Sequence, residues 1–169
     1  FETPMIWQKK EADLLRLVQQ IHGWEIVKNA LQTGKGIIFL TPHLGCFEIT
    51  SIFYGNLHPI TVLYRPPKLK WLEALIIRGR SRTGVTLAAA NASGVRKLLK
   101  ALKRGEAIGI LPDQIPAAGE GEWADFFGKP AYTMSLASKL AEKTGATVIM
   151  GFGEHLAHGA GYALHLRKI

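Results

Sequence analysis

A histidine and a glutamate five positions apart, His43 and Glu48, are the residues of this sequence best suited to chemistry. On a regular helix they would lie on different faces, since each residue rotates the helix by about 100°. They can meet if His43 lies on a turn, Glu48 lies in the first turn of the next helix, and Gly45 lets the chain fold back. A carboxylate bonded to one imidazole nitrogen fixes the tautomer and leaves the other nitrogen to accept a proton. The pair therefore predicts general-base catalysis on a hydroxyl, a mechanism that typically contributes about 10²–10⁴-fold in rate.

A purely structural interpretation fits the same two residues. His43 can close a turn, and Glu48 can be a carboxylate favoured at a helix start by the helix dipole. The spacing alone does not choose between the catalytic and the structural interpretation.

Two more loops carry polar residues directly after apolar runs. Arg65 precedes Pro66 and Pro67, which hold the backbone extended and can aim the guanidinium group. Its planar fork suits a phosphate, although a surface arginine on a turn is the simpler alternative. Asp113 and Gln114 follow an apolar run and a proline, where Asp113 can support a site or bond its own backbone in a turn.

Apolar runs alternate with helical patterns along the chain. The runs predict strands at Gly36–Thr41, Ile60–Tyr64, Val85–Leu87, Ala107–Leu111, Ala146–Phe152 and Ala163–Ile169. Apolar residues at helical spacing predict helices at residues 9–33, with a break near Gly23, and at Lys70–Arg80, Ser93–Arg104 and Thr133–Lys143.

This alternation predicts an α/β fold with a mostly parallel sheet flanked by helices. In such sheets ligands bind beyond the carboxyl ends of the strands, so the loops after Leu40, Tyr64 and Leu111 are expected to form the site.

The composition narrows the class of protein. The 169 residues suffice for one domain, and 47% hydrophobic residues indicate a folded chain. The net charge of +8 predicts an acidic partner such as anionic lipid, an acidic carrier protein or nucleic acid. A single cysteine, Cys46, excludes a disulfide framework, and the six histidines show no metal-binding spacing. Cys46 is interpreted as a buried apolar residue rather than a nucleophile.

Four motifs in order carry a family resemblance. His43–Glu48 resembles the His-x₄-Asp/Glu motif of glycerolipid-type acyltransferases, in the lysophospholipid-acyltransferase-like superfamily. Tyr64–Pro66, Pro112–Gln114 and Phe126–Ala131 resemble further motifs of the bacterial lipid A biosynthesis lauroyl/myristoyl acyltransferase family. The resemblance extends from about Trp24 to Phe152, which is most of the chain.

The resemblance implies an O-acyltransferase that moves a fatty acyl chain from an acyl carrier protein or acyl-CoA thioester to a hydroxyl of a lipid A precursor or related glycolipid. It implies His43 as the base, Glu48 as its orienting partner, and Arg65, Asp113 and Gln114 as substrate-binding or supporting residues. It also implies no metal or organic cofactor, and a location on the cytoplasmic face of the bacterial inner membrane, against an anionic lipid surface.

Residues 1–169 are accordingly expected to be a single acyltransferase catalytic domain from a longer chain. Two alternatives remain: an acylglycerol-phosphate acyltransferase, and a non-catalytic domain that binds anionic lipid. The basic segments Arg78–Arg82 and Arg96–Arg104 can meet phosphate groups or an acidic carrier protein, or form a solvated face. No nucleic-acid partner is expected, because no nucleic-acid-binding motif is present and aromatic residues do not alternate with these charges.

Overall fold

The computed structural model describes residues 3–82 and 84–169. Its helices are α1 (Thr3–Gln8), α2 (Glu11–Leu17), α3 (Trp24–Gln32), α4 (Phe47–Gly55), α5 (Lys70–Arg80), α6 (Ala92–Lys103) and α7 (Leu136–Thr144). Its strands are β1 (Val18–His22), β2 (Ile37–Leu40), β3 (Ile60–Tyr64), β4 (Val85–Ala89), β5 (Ala107–Ile110), β6 (Gly121–Phe126), β7 (Lys129–Met134), β8 (Thr147–His155) and β9 (Tyr162–Lys168).

Seven strands form one sheet in the order β1-β9-β8-β2-β5-β3-β4, and β6 and β7 form a separate antiparallel hairpin. All neighbours in the large sheet are parallel except β8 and β9. The central strand β2 pairs Leu40 with Ile110 of β5 and with Met150 of β8. The loops after β2 and β5 therefore begin at the same level on the carboxyl edge of the sheet.

Helices cover both faces of this sheet. Ile37 and Phe39 of β2 pack on one face with residues of α3 and α4, whereas Ile38 packs on the opposite face with residues of α6 and α7. The strand is apolar at successive positions because both of its faces are covered. The predicted α/β class with a mostly parallel sheet is confirmed.

Two segments differ from the sequence-based expectation. Residues 18–22, expected to be helical, form the edge strand β1, because their backbone pairs with β9 over the register from Val18 with Tyr162 to His22 with His165. This pairing overrides a local helical pattern. The helix expected from Thr133 begins only at Leu136, because residues 129–134 pair with β6 in the hairpin.

The helices are short. In residues 3–82 and 84–169, none is both long enough and apolar enough to cross a bilayer.

Candidate active site

The loop that carries His43 is fixed at both ends. Thr41 donates its backbone N–H to the carbonyl of Ile110, and Cys46 donates its own to the carbonyl of Gly153 over 2.8 Å. Gly45 has a φ of +59°, and a Cβ at that position would collide with the carbonyl oxygen of Gly153. Only glycine therefore fits between the loop and β8, and the tight contact holds the loop against the sheet edge.

Asp113 holds the imidazole of His43. His43 lies three residues beyond Leu40, and Asp113 lies three residues beyond Ile110, the residue paired with Leu40. The backbone N–H of His43 donates to Oδ2 of Asp113 over 2.7 Å, and Nδ1 of the ring lies 2.9 Å from Oδ1. One carboxylate thus fixes both the backbone and the ring of His43.

The electrostatics of this pair assign the proton to Nδ1. Partial burial acts to raise the pKa of Asp113, but the hydrogen bonds that it accepts from the backbone and ring of His43 hold that pKa below its ordinary value. An ionised carboxylate only accepts hydrogen bonds, so Nδ1 must carry the hydrogen. Nε2 is then the nitrogen that can accept a proton from a substrate. The side chains of His43 and Asp113 are 41% and 38% exposed, so solvent and substrate can reach them.

Glu48 does not contact His43, as the sequence analysis expected, but pairs with Arg80. It is the second residue of α4, and its side chain is 5% exposed. Its Oε1 accepts a hydrogen bond from Nε of Arg80 over 2.8 Å and forms an ion pair with Nη2 at 2.6 Å. The expected contact between Glu48 and His43 is therefore not the arrangement found. Asp113 takes the Nδ1 side of His43, and the ring packs against Phe47, with the ring centroids 4.9 Å apart.

The sequence analysis named the basic segment that contains Arg80 but assigned no role to Arg80 itself. It ends α5, and its guanidinium carbon lies 5.7 Å from the ring centroid of Trp7 and 5.9 Å from that of Phe47. The signal was present in a weak form: a carboxylate such as Glu48 is almost never buried unless it is paired. The basic stretch 78–82 offered more than one candidate partner, and only the packing of α5 selects Arg80.

A groove opens beside His43. Its volume is about 730 Å³, within the range of pockets that hold small organic ligands. Apolar side chains form much of its wall, from Leu63, Ile76, Val95, Leu111 and Met134. His43, Arg65, Arg80, Gln114 and Lys139 supply polar or charged groups to the same lining. The groove therefore combines an apolar surface for a hydrocarbon chain with cationic groups for an anion.

A much smaller cavity of about 20 Å³ lies next to the groove. Glu48 lines this cavity, and Arg80 and Leu111 line both spaces. The Glu48–Arg80 pair therefore forms part of the boundary between the groove and the interior.

Four of the five residues singled out from the sequence thus lie at the groove or support it. His43, Arg65 and Gln114 line it, and Asp113 holds His43. Glu48 reaches the groove only through Arg80. Among residues 3–82 and 84–169, no cluster of three or more histidine, cysteine, aspartate or glutamate side chains is arranged to hold a metal ion.

Fold and site together define an α/β protein with an imidazole–carboxylate pair at the rim of a groove that has both apolar and charged walls, at the carboxyl edge of its sheet. The chain belongs to the bacterial lipid A biosynthesis acyltransferase family, whose model matches residues 1–167. The family predicted from the sequence is thereby confirmed.

Relatives of known activity support the same family at low identity. The chain is 29% identical over 148 residues to a lipid A biosynthesis acyltransferase of Haemophilus influenzae, covering 85% of this chain and 45% of the relative. It is 25% identical over 166 residues to the lipid A biosynthesis palmitoleoyltransferase of Escherichia coli, covering 98% and 53%. It is also 25% identical over 167 residues to the lauroyltransferase of the same organism, covering 96% and 53%. The chain spans about half the length of these curated relatives.

Proposed function

We propose that the chain carries the catalytic centre of an O-acyltransferase, which moves a fatty acyl group from a thioester to a hydroxyl of a lipid A precursor. Membership of the lipid A biosynthesis acyltransferase family supports the reaction class. The observation that carries the proposal is the pairing of His43 Nδ1 with Asp113 at the rim of the groove, because it leaves Nε2 as a base beside an apolar surface.

The reaction proceeds by direct transfer. The acceptor hydroxyl gives its proton to Nε2 of His43 while its oxygen attacks the carbonyl carbon of the thioester. The resulting tetrahedral oxyanion collapses, the carbon–sulfur bond breaks, and the leaving thiolate takes the proton from His43. The products are an ester and a free thiol, and His43 returns to its neutral form. Asp113 stabilises the imidazolium during the cycle because its carboxylate remains ionised.

The remaining charged residues have separate roles in this proposal. Arg65 and Lys139 line the groove and attract the phosphate groups of the acceptor or the donor. Gln114, next to Asp113, offers an amide to the polar end of the substrate. Glu48 retains a place in the catalytic machinery through Arg80, whose position on the groove wall it fixes and whose positive charge can stabilise the oxyanion.

The donor is an acyl thioester of acyl carrier protein or coenzyme A, and the reaction takes place at the cytoplasmic face of the bacterial inner membrane. The acceptor is a membrane lipid, and the relatives are enzymes of lipid A biosynthesis. The net charge of +8 supports a working surface that carries anionic groups.

The test is acyl transfer by the full chain in detergent micelles, with acyl carrier protein and coenzyme A thioesters of several lengths and a lipid A precursor as acceptor. Mass spectrometry of the lipid gives the product. His43→Ala should lower the transfer rate by about 10²–10⁴-fold, because the base is removed. His58→Ala is the matched control, since His58 precedes β3 at the opposite edge of the sheet and should leave transfer unchanged. Full turnover by His43→Ala would refute the assignment.

The two rival functions give different results in the same assay. An acylglycerol-phosphate acyltransferase would acylate lysophosphatidic acid in preference to the lipid A precursor. A non-catalytic lipid-binding domain would bind lipid but transfer no acyl group from any donor, and His43→Ala would change nothing.

A further inference from the structure

The outward face of α5 carries large apolar side chains in contact with solvent. The side chains of Trp71 and Leu75 are 69% and 52% exposed, and Leu69, directly before the helix, is also exposed. Trp71 and Leu75 lie one turn apart and therefore share a face of the helix. A surface helix normally presents polar residues outward, so this face departs from the usual pattern.

The inward face of the same helix is already occupied. Ile76 and Arg80, also one turn apart, line the groove, and Gly79, which lies between the two faces, is buried against the ring of Trp7. Because each residue rotates the helix by about 100°, Trp71 and Leu75 point away from that side. The groove contacts therefore do not account for the apolar residues on the outward face.

Cations surround these apolar residues. Lys68, Lys70 and Arg78 are exposed, and Arg78 lies on the same face as Trp71 and Leu75. The one acidic residue of this segment, Glu73, is turned to the hydroxyl of Tyr64, which donates to it over 3.0 Å. The outward face is thus apolar and positively charged, which is the composition of helices that lie in the interface of an anionic bilayer.

The position of this face matches the mouth of the groove. Tyr64 and Arg65 line the groove, and the chain then runs through Lys68 and Leu69 into the first turn of α5. The face therefore begins at the carboxyl edge of the sheet, where His43 also lies. The tip of the hairpin formed by β6 and β7 also exposes aromatic side chains, those of Phe126 and Phe127. The charged residues there, Asp125 and Lys129, have opposite signs, so the tip has no positive charge in excess to attract an anionic surface.

We propose that the outward face of α5, made of Lys68, Leu69, Lys70, Trp71, Leu75 and Arg78, docks the protein on an anionic lipid bilayer. The apolar side chains enter the headgroup region and the cations pair with lipid phosphates. This inference rests on the proposed function only in so far as the acceptor is a membrane lipid. Docking at this face brings the mouth of the groove to the surface from which such a lipid enters.

The test is binding to sedimented vesicles by the full chain, without donor or acceptor. Vesicles of phosphatidylglycerol and phosphatidylethanolamine are compared with vesicles of phosphatidylcholine alone. The double variant Trp71→Ser with Leu75→Ser should lower the partition coefficient on anionic vesicles by about tenfold or more, because two apolar side chains no longer leave water. Lys68→Glu with Arg78→Glu should lower it by a similar factor, and added salt should reduce wild-type binding.

The matched control is Leu57→Ser, a side chain that is 50% exposed in the turn after α4, near the opposite edge of the sheet. It should bind like the wild type. Equal binding by Trp71→Ser with Leu75→Ser and by the wild type would overturn the proposal. The alternative is that this face binds a second copy of the chain, and light scattering tests it. If the wild type has the mass of a dimer and the double variant does not, while vesicle binding is unchanged, the face is a dimer interface and membrane docking is overturned.

Quenching by lipids with brominated acyl chains gives a second, site-specific readout. Wild-type fluorescence should be quenched on anionic vesicles, and Trp71→Phe should lose most of that quenching. Undiminished quenching in Trp71→Phe would contradict the proposal. The readouts also separate the two proposals: intact docking without acyl transfer contradicts the proposed reaction alone, whereas transfer in micelles without α5-dependent binding contradicts docking alone.

Discussion

Two carboxylates of the site each pair with a nitrogen-containing side chain, but in different surroundings: Asp113 pairs with an imidazole and Glu48 with a guanidinium group. Asp113 holds His43 at the rim of the groove, where its side chain is 38% exposed, whereas Glu48 holds Arg80 with only 5% exposure. At the rim, water and substrate can reach the pair, and a proton can arrive and leave. In the buried pair the guanidinium group and the carboxylate compensate each other, because an uncompensated charge there is costly. The comparison predicts that Asp113 mainly affects the rate, whereas Glu48 mainly affects stability and affects the rate only through the position of Arg80.

The largest effect on stability is expected from Glu48→Ala. The change leaves the guanidinium of Arg80 largely buried without its carboxylate, and such a loss typically costs about 3 kcal/mol or more. Urea unfolding of the variant should show this decrease in the free energy of unfolding. The double variant Glu48→Gln with Arg80→Met is the control, and it should recover part of the loss because no lone charge remains. If Glu48→Ala were as stable as the wild type, the idea that the buried pair mainly supports stability would be wrong.

Asp113→Asn is expected to slow acyl transfer by about 10²-fold, because an amide can donate to Nδ1 and thereby favour the wrong tautomer of His43. The thermal midpoint should change little, since the pair is partly exposed. Initial rates at saturating donor measure the effect. A large loss of stability with an unchanged rate in the remaining folded protein would contradict the catalytic role of Asp113.

The pH dependence of stability sharpens the same comparison. The folded-state pKa of Asp113 is below its ordinary value of 3.8, so its carboxylate contributes stability that is present above that value. This contribution is lost as the pH falls through the lowered folded-state pKa. The difference in unfolding free energy between wild type and Asp113→Asn should therefore shrink in acid, by less than about 1 kcal/mol because the group is partly exposed. Urea unfolding at a series of pH values measures it, and a difference that grows in acid would contradict the sign.

Cys46→Ala is expected to have the smallest effect on activity. Cys46 is 3% exposed and packs with Ile49 and Ile52, so direct transfer does not require its thiol. The rate should stay within about threefold of wild type, with a modest loss of stability for the smaller side chain. Near-complete loss of transfer, with an acyl group found on Cys46 in the wild type by mass spectrometry, would establish a covalent route instead.

Much of the fold follows from local patterns. The central strands are short apolar runs, and Lys70–Arg80 carries a helical pattern whose bounds the structure reproduces. Residues 18–22 could not be predicted in this way, because their strand conformation depends on pairing with β9, which lies about 140 positions later in the sequence. Strand pairing of this kind is a property of the whole sheet and leaves little trace in the local sequence.

In the site, too, one part could be predicted from the local sequence and another part could not. The loops that contain His43, Arg65 and Asp113 follow from the rule that ligands bind beyond the carboxyl ends of parallel strands. The partner of His43 does not follow from spacing. Glu48 is near in sequence, but Asp113 is brought beside His43 because β2 pairs with β5. Arg80 reaches Glu48 because α5 packs back along the sheet, a contact between residues 32 positions apart.

Histidine ¹⁵N chemical shifts test the central claim most directly, because they report which ring nitrogen carries the proton. In the full chain, with His43 assigned by comparison with His43→Ala, the signal should show the hydrogen on Nδ1. Asp113→Asn should abolish this preference, and Glu48→Gln should preserve it. The opposite result, a tautomer that depends on Glu48 and is indifferent to Asp113, would show that Glu48 orients the base and would contradict the pairing of His43 with Asp113 as the catalytic arrangement.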